Sequence, residues 1–589
     1  MKRRDLLAWL ASFSAKAQQP AVPAKPGAPI PLAAHPILRA MADELNRSRQ
    51  LRLAAKDPLY FVEYALDDTI SYTVLASLGG LINERSGRAR IPRIGVRVGG
   101  PDFDNTNYVL SDYYPGSRFD PDQFPLDDNY DSLRRAFWLA TDRAFKTAVE
   151  AIGRKRAALR SVTQAEKLPD FSAAPQLRTV IEHQRPRFDQ TLWRNRTISL
   201  SALYAETPEV IESSVECNLA HSTSYYSNSE ATVAVYPDPV AYLRTRATGQ
   251  CPDGMRVRDH DVIESLDPGQ FPAELDLRRA VSQVAANVKA LAAAPLGENY
   301  TGPVLFEGTA AAQLFAEFFS AALPAIRRPV GEPGRPVPIQ PSPLEGKIGS
   351  RILPASFDMV DDPTQREYRG KPLLGYYPVD IEGVAPQTVP VVEKGVLKAL
   401  LTTRQPARDA LTSNGHARLP GAFGGKTAAI SNLFVKCSEP VPSKDMRGRL
   451  TKLMADRGKP YALVVKKMDF PSSASIAELR RLVSGPDRGT SMPLLAYRVY
   501  PDGREELVRG LRFRGFNLRS LRDIAAASDE EFGFSFLGNG APFSLMGAGG
   551  YGYLATVFAP SILLEDVELD VANEDQPRPP VAPPPPPTP

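Results

Sequence analysis

Hydrophobic residues recur with two different periods along this chain. Where they return every three or four positions, as at Ile37, Met41 and Leu45, the pattern predicts amphipathic helices over 36–56, 127–156, 275–294 and 311–322. Elsewhere they alternate with polar residues or form short runs between turn residues, which predicts strands. Those strands fall at 60–63, 70–80, 93–99, 198–204, 232–236, 350–401, 461–467, 494–500 and 506–513, and a short helix is predicted at 518–527.

The order of these elements predicts an α+β protein. We expect an N-terminal α/β domain at 33–295, with a mainly antiparallel sheet and flanking helices, and a C-terminal antiparallel β-rich, barrel-like domain at 296–571. A Pro/Ala linker at 18–32 precedes them, and a Pro-rich disordered tail at 572–589 follows.

Composition narrows the function classes. The 589 residues are 43% hydrophobic and 23% charged, which is typical of globular domains. The 71 basic and 67 acidic residues are interleaved, so no basic field favours nucleic acid as a partner. Three cysteines are too few for a disulfide framework. No stretch reaches the roughly 18 apolar residues of a membrane span.

The N-terminus predicts export. Arg3 and Arg4 precede a short apolar run, and Ala15-Lys-Ala17 fits a cleavage site, so residues 1–17 are interpreted as a signal peptide. The paired arginines are compatible with twin-arginine export. We therefore expect a periplasmic or secreted protein; the alternative is a cytoplasmic one whose first residues form an amphipathic helix.

The stretch 304–319 predicts a buried strand, a turn at Gly308 and a helix with an apolar face. It also resembles the core of the TldD/PmbA family, the peptidases and peptidase partners once called modulators of DNA gyrase. Further resemblances lie at Val96-Arg-Val-Gly-Gly-Pro-Asp-Phe-Asp-Asn-Thr106, Tyr226-Ser-Asn-Ser-Glu-Ala-Thr232 and Gly375-Tyr-Tyr-Pro-Val-Asp-Ile-Glu-Gly-Val384. In the second of these, Ala231 replaces the glycine usual in the family.

The resemblance implies a metallopeptidase site from which this chain departs. Peptidase members carry His-Glu-x-x-x-His here: two imidazoles hold zinc, the Glu is the general base, and a C-terminal Cys completes the site. Glu307 matches the Glu and is the one catalytic residue predicted, but Phe306 and Ala311 occupy the histidine positions. Neither side chain has a lone pair for zinc. The region 536–543 contains no cysteine either, so we predict no metal and no cofactor.

Other polar clusters are weaker candidates. By the resemblance, Asn414, His416 and Arg418 lie beside a substrate cleft, where Asn414 and Arg418 could hold a peptide carbonyl or carboxylate; the alternative is a surface loop. Asp380 and Glu382 are interpreted as polar turn residues rather than an acid–base pair. The Gly-Lys-Thr ending at Thr427 is not a phosphate loop, because Pro420 stands where the first glycine is required.

Three functions remain open. The first is a partner subunit with a degenerate zinc site, which binds peptides or unfolded proteins for proteolysis and forms a homodimer or a heterodimer with a zinc-containing family member. The second is an active metallopeptidase with a non-standard site that uses Glu307 with His416, His221 or His260. The third is a non-enzymatic envelope scaffold whose Pro-rich tail recruits other proteins.

Overall fold

The computed structural model describes residues 35–51, 57–109, 124–161, 167–331, 342–420, 425–470, 490–538 and 552–572. The expected signal peptide, the Pro/Ala linker and the tail beyond Ala572 lie outside the described residues. They stay predictions, as do the domain boundaries. Among the described helices, none is both long enough and apolar enough to cross a membrane.

The described residues contain six α-helices, each with a buried face. In chain order they are α1 (Pro36–Ser48), α2 (Tyr130–Ala158), α3 (Gln190–Ala202), α4 (Glu274–Ala293), α5 (Thr309–Ala322) and α6 (Met446–Asp456). The longest, α2, begins where the Asn129 side chain accepts a hydrogen bond from the Ser132 N–H at 2.9 Å. This bond satisfies one of the free donors at the helix start.

Strands account for most of the remaining regular structure. The first lobe contains β1 (Leu59–Ser77), β2 (Gly80–Gly100), β3 (Phe103–Asp104), β4 (Arg178–Val180), β5 (Val210–Asn228), β6 (Val233–Gln250) and β7 (Arg256–Ser265). The second begins with β8 (Tyr300–Phe306), β9 (Phe357–Asp361), β10 (Glu367–Tyr368), β11 (Lys371–Pro372), β12 (Val389–Glu393), β13 (Val396–Leu397), β14 (Ala417–Pro420) and β15 (Lys426–Ala428). It ends with β16 (Asn432–Cys437), β17 (Ala462–Met468), β18 (Pro493–Val499), β19 (Glu505–Val508), β20 (Leu511–Arg514), β21 (Ile524–Gly538) and β22 (Tyr553–Val571).

The first lobe is built on a seven-stranded sheet in the order β3-β2-β1-β5-β6-β4, with β7 added to β6. All its pairs are antiparallel except β4–β6, as the alternating pattern predicts. Helices α1 and α2 enclose a core against one part of the sheet, and α3 and α4 enclose a second core that includes Trp193 and Leu277. A mainly antiparallel sheet with helices packed against it is consistent with the predicted α+β class.

The second lobe is an eleven-stranded sheet in the order β13-β12-β9-β16-β22-β8-β17-β18-β19, with β20 and β21 also paired to β22. Strand β8 lies inside it, antiparallel to β22 and parallel to β17. Helix α5 follows β8 directly and contributes Leu314, Phe315 and Phe319 to the largest apolar core. The stretch 304–319 is thus a buried strand–turn–helix.

The barrel-like form predicted for this lobe is wrong for the described residues. Strand β13 lies at one edge and β19 at the other, and the two do not pair with each other. These edge strands have only two and four residues. Such short edges offer few backbone groups for closing a sheet.

Two local predictions also fail. Residues 198–204, predicted as a strand, belong to α3 and a following 3₁₀ turn. Apolar and polar residues do alternate at 198–204. The residues that the helix buries are nevertheless spaced three or four apart, as at Trp193, Thr197 and Leu200. At 518–527 the predicted helix is a six-residue 3₁₀ helix, Leu518–Asp523, after which β21 begins.

Arg404 ties the two lobes together. Its guanidinium is fully buried, donates to the Ser172 carbonyl oxygen at 2.9 Å and pairs with Glu230 at 2.8 Å. It also lies over the rings of Phe61 and Phe171, 5.1 and 4.0 Å from their centroids. A buried guanidinium with hydrogen-bond and ring partners fixes the orientation of the lobes.

Candidate functional site

Phe306, at the end of β8, occupies the first position where a zinc-binding imidazole would stand. Its ring is fully buried and stacks on Phe513 and Phe516, with centroids 5.8 and 5.7 Å apart. The Phe306 and Phe516 rings are within 5° of parallel. This position is therefore part of a three-ring aromatic cluster, which we call the Phe306 cluster.

Ala311, at the second such position, lies in the first turn of α5. It is fully buried, as are Ala310 and Ala312 beside it. Leu314, Phe315 and Phe318 follow Ala311 at helical spacing and share its face of α5, and none of these side chains carries a polar atom. Both positions that would hold a metal are thus filled by packed hydrocarbon.

Glu307 lies between β8 and α5 with its side chain 35% exposed. Its backbone N–H donates to the Val465 carbonyl oxygen at 2.9 Å. Its carboxylate accepts two hydrogen bonds from Arg447 of α6, at 2.8 Å from Nε and 2.9 Å from Nη2. This forked pairing holds the carboxylate against a permanent cation. In this arrangement Glu307 acts as an ion-pair partner and not as a free base.

Arg447 extends this pair into a chain of charges. It contacts Glu505 at 2.9 Å, and Glu505 in turn contacts Lys466 at 2.9 Å. Burial raises the pKa of Glu505, but Lys466 and Arg447 outweigh it, and the net pKa is lowered. The sequence offered no signal for Arg447, because it lies 140 residues from Glu307.

The residues present do not fit a zinc ion. Among the described residues, no group of three or more His, Cys, Asp or Glu side chains is placed to hold a metal. Cys437 is on β16, and burial raises the pKa of its thiol, which disfavours the thiolate that zinc requires. Of the region 536–543, where the resemblance places the family's Cys, residues 539–543 lie outside the described part of the chain.

Asn414 and His416 stabilise a loop beside β9 and β14. The His416 imidazole is fully buried, with Nε2 3.0 Å from the Asp361 carboxylate and Nδ1 3.0 Å from the Asn414 carbonyl oxygen. The Asn414 side chain accepts from the Thr402 N–H at 2.8 Å and donates to the Leu400 carbonyl oxygen at 2.9 Å. These contacts occupy the polar groups of both side chains.

Arg418 is better placed for a ligand. Its guanidinium lies 4.1 Å from the Tyr377 ring centroid, and its Nη2 is 3.5 Å from the Leu554 carbonyl oxygen. Its Nη1 is buried and has no hydrogen-bond partner within the described residues. Arg418 is, however, far from Phe306 and Glu307. Its contact Leu554 lies eight residues before Ile562 on β22, and Ile562 is the residue that pairs with Phe306. At roughly 3.3 Å per residue that is about 26 Å along the strand.

His221 and His260 lie in the first lobe, on β5 and β7. Burial, helped by the nearby His183, lowers the pKa of His221 to about 4. Burial and Lys467 lower the pKa of His260 as well. Neither imidazole contacts the Glu307 carboxylate, so the described residues do not gather the histidines into one centre.

Asp380 and Glu382 form the turn expected of them. Asp380 Oδ1 accepts from the Glu382 N–H at 2.9 Å and the Val384 N–H at 2.8 Å, while Gly383 adopts a φ of 75°. Glu382 accepts from the Arg404 N–H at 2.6 Å. Burial, and then the adjacent Glu382, raise the pKa of Asp380 well above its usual range.

Comparison with known proteins agrees with this geometry. Residues 299–457 match the model of the PmbA/TldA metallopeptidase C-terminal domain. A protein of Archaeoglobus fulgidus named metalloprotease is 27% identical over 167 residues, which is 28% of this chain. The alignment spans 33% of that relative's length.

Solved structures share the fold over almost the whole chain. A candidate modulator of DNA gyrase from Thermotoga maritima matches with a TM-score of 0.55 at 15% identity, covering 91% of this chain and all of that one. TldE from Thermococcus kodakarensis matches with a TM-score of 0.51 at 14% identity, covering 90% of this chain and all of that one.

The part of the second lobe at 299–457 is therefore a domain of the metallopeptidase-related class, in which Phe306 and Ala311 are fully buried apolar residues. Residues 299–457 carry the C-terminal domain of the TldD/PmbA family, which confirms the sequence resemblance in this part of the chain.

Proposed function

We propose that this protein takes part in the proteolysis of peptides or unfolded proteins as a peptide-binding partner subunit, without zinc chemistry of its own. One observation carries the proposal: the Phe306 cluster fills the first zinc-ligand position with stacked rings. The forked Arg447–Glu307 pair supports it, because a general base must be available to take a proton from water.

The catalytic partner in this proposal is a family member that keeps His-Glu-x-x-x-His, bound in a heterodimer; a homodimer of this chain is the second form to be tested. Export by the N-terminal signal would put this subunit in the periplasm or outside the cell, and the catalytic partner would have to be in the same compartment. Support for export comes from Arg3, Arg4 and the Ala15-Lys-Ala17 pattern.

A first experiment measures metal content and peptidase activity of the purified protein. We expect less than stoichiometric zinc and no hydrolysis of unstructured peptides, with or without added zinc. The control is the zinc-containing family member treated in the same way. Stoichiometric zinc would refute the proposal. Hydrolysis that survives chelation but disappears in Glu307→Ala would favour the unconventional peptidase instead.

A second experiment tests the partnership. The protein is co-expressed with a His-Glu-x-x-x-His family member from the same source, and the complex is analysed by size-exclusion chromatography with light scattering. We expect a heterodimer that cleaves peptides faster than the catalytic subunit alone. Separate elution with unchanged rates would favour the scaffold function.

A further inference from the structure

A cleft lies beside the Phe306 cluster, along the second half of α5, and Phe516 of that cluster is one of its lining residues. Its volume is about 430 Å³, within the range of roughly 300–1,000 Å³ that is usual for ligand sites. The wall and floor are mainly apolar, and the residues that form them are Phe318, Ala321, Leu344, Ile352, Phe516 and Leu518.

Phe516 joins this cleft to the degenerate site. It stacks on Phe306 at 5.7 Å and also contacts Phe318 on α5 at 5.7 Å. Phe306 therefore supports a wall of the cleft from behind. A side chain that cannot bind zinc here helps to fix an apolar binding surface.

Three cations line the same cleft: Lys347, Arg519 and Arg522. All three are exposed, and none forms an ion pair with another described residue. Arg519 and Arg522 lie three residues apart in the 3₁₀ helix Leu518–Asp523. Side chains three apart in such a helix are eclipsed, so both guanidinium groups project from one face.

One acidic side chain, Glu317, also lines the cleft, but it is 8% exposed and accepts a hydrogen bond from the Ser491 N–H at 2.9 Å. The formal charge of the lining is therefore positive. Apolar surface combined with unpaired cations is complementary to an apolar side chain flanked by carboxylates.

We propose that this cleft binds an acidic, apolar segment of an unfolded polypeptide, with an aromatic or aliphatic side chain on the floor and neighbouring Asp or Glu side chains on Arg519, Arg522 and Lys347. This inference rests on the proposed function and names the class of peptide that it binds. Guanidinium groups hold carboxylates in forked pairs, which orients the segment along the cleft.

The test is fluorescence anisotropy with the full chain and a labelled peptide, Asp-Phe-Leu-Glu-Asp, blocked at both ends. Because both ends are blocked, the only anions of the peptide are its side-chain carboxylates. Matched peptides carry Asn and Gln, or Lys, in place of the acids. We expect the acidic peptide to bind most tightly and to weaken as salt screens the charges.

Two variants locate the binding. R519S/R522S removes the two arginines proposed to pair with the peptide's carboxylates, and we expect about five- to tenfold weaker binding at low salt. Ala321→Trp places a large ring in the cleft from an exposed helix position and should abolish binding. The charge-matched control is R85S/R160S, because both arginines are exposed and lie in the first lobe. This control should bind as the unaltered protein does.

The contrary outcomes are distinct. If the acidic peptide binds but neither cleft variant weakens it, the cleft assignment is wrong while the proposed peptide-binding function survives. If no peptide of any charge binds, both are wrong. If laurate binds in the cleft and the peptide does not, the site takes an anionic amphiphile and the assignment is again overturned.

Discussion

The central prediction concerns Phe306, a packing residue at a position where the family resemblance implies a zinc ligand. Replacing it with Ala removes a fully buried ring that touches Phe513 and Phe516. Losing a buried Phe side chain costs about 3–5 kcal/mol of unfolding free energy, through lost burial and the cavity left behind. Phe306→Leu fills much of that space but loses the ring stacking, so we expect about 1–2 kcal/mol.

The assay is guanidinium chloride unfolding followed by intrinsic fluorescence and circular dichroism. Because the chain has two lobes, the unfolding transition of each lobe is fitted separately. A shift in the denaturant concentration at the midpoint is interpreted as a change in stability only where the dependence of the unfolding free energy on denaturant is unchanged. Leu139→Ala is the control: this side chain is 51% exposed on α2, and its loss should change stability by less than about 0.5 kcal/mol.

A metal measurement completes the test. Phe306→His puts an imidazole into an aromatic pocket beside Ala311, and we expect it to destabilise the protein whether or not zinc is present. The reasoning is refuted if Phe306→Ala costs less than about 1 kcal/mol. It is equally refuted if zinc stabilises Phe306→His, since a ligand that binds the folded state raises its stability.

Two further predictions concern the backbone and pH. Ala231 has a φ of 69°, where side chains are strained, so Ala231→Gly should stabilise the protein by about 0.5 kcal/mol in a thermal melt, and a loss of stability would contradict this. Burial and Glu382 raise the pKa of Asp380, so the folded state holds a proton that the unfolded state releases, and stability should fall as pH rises above the usual range of a carboxyl group. Glu382→Gln should make that fall smaller in unfolding measurements at several pH values; an unchanged or steeper fall would show that Glu382 is not a cause.

Sequence reasoning succeeded where the signal is local. The sequence Glu393-Lys-Gly395 between two apolar runs predicts a hairpin turn with a positive φ at the glycine. That turn forms between β12 and β13, with Gly395 at a φ of 76°. The expected glycine position of the family at Ala231 does have a positive φ. Burial of the stretch 304–319 followed from its apolar spacing alone.

Sequence reasoning failed where a residue's environment is set by a contact with a residue far away in the sequence. No pattern near Glu307 reveals Arg447, and nothing near Phe306 reveals Phe516, which lies more than two hundred residues away. The sequence also does not show that Asp361 and Asn414 lie at the two ring nitrogens of His416. Such pairings depend on how distant strands meet.

The position of β22 has a consequence for how this protein is made. It is the last of the described strands, yet it lies inside the second sheet between β16 and β8, and β20 and β21 also pair with it. Strand β8 and its helix therefore leave the ribosome more than two hundred residues before their neighbour exists. Contacts between such distant segments form slowly, and exposed strand edges aggregate during the wait. We therefore expect the nascent chain to bind chaperones until β22 has paired with β8 and β16.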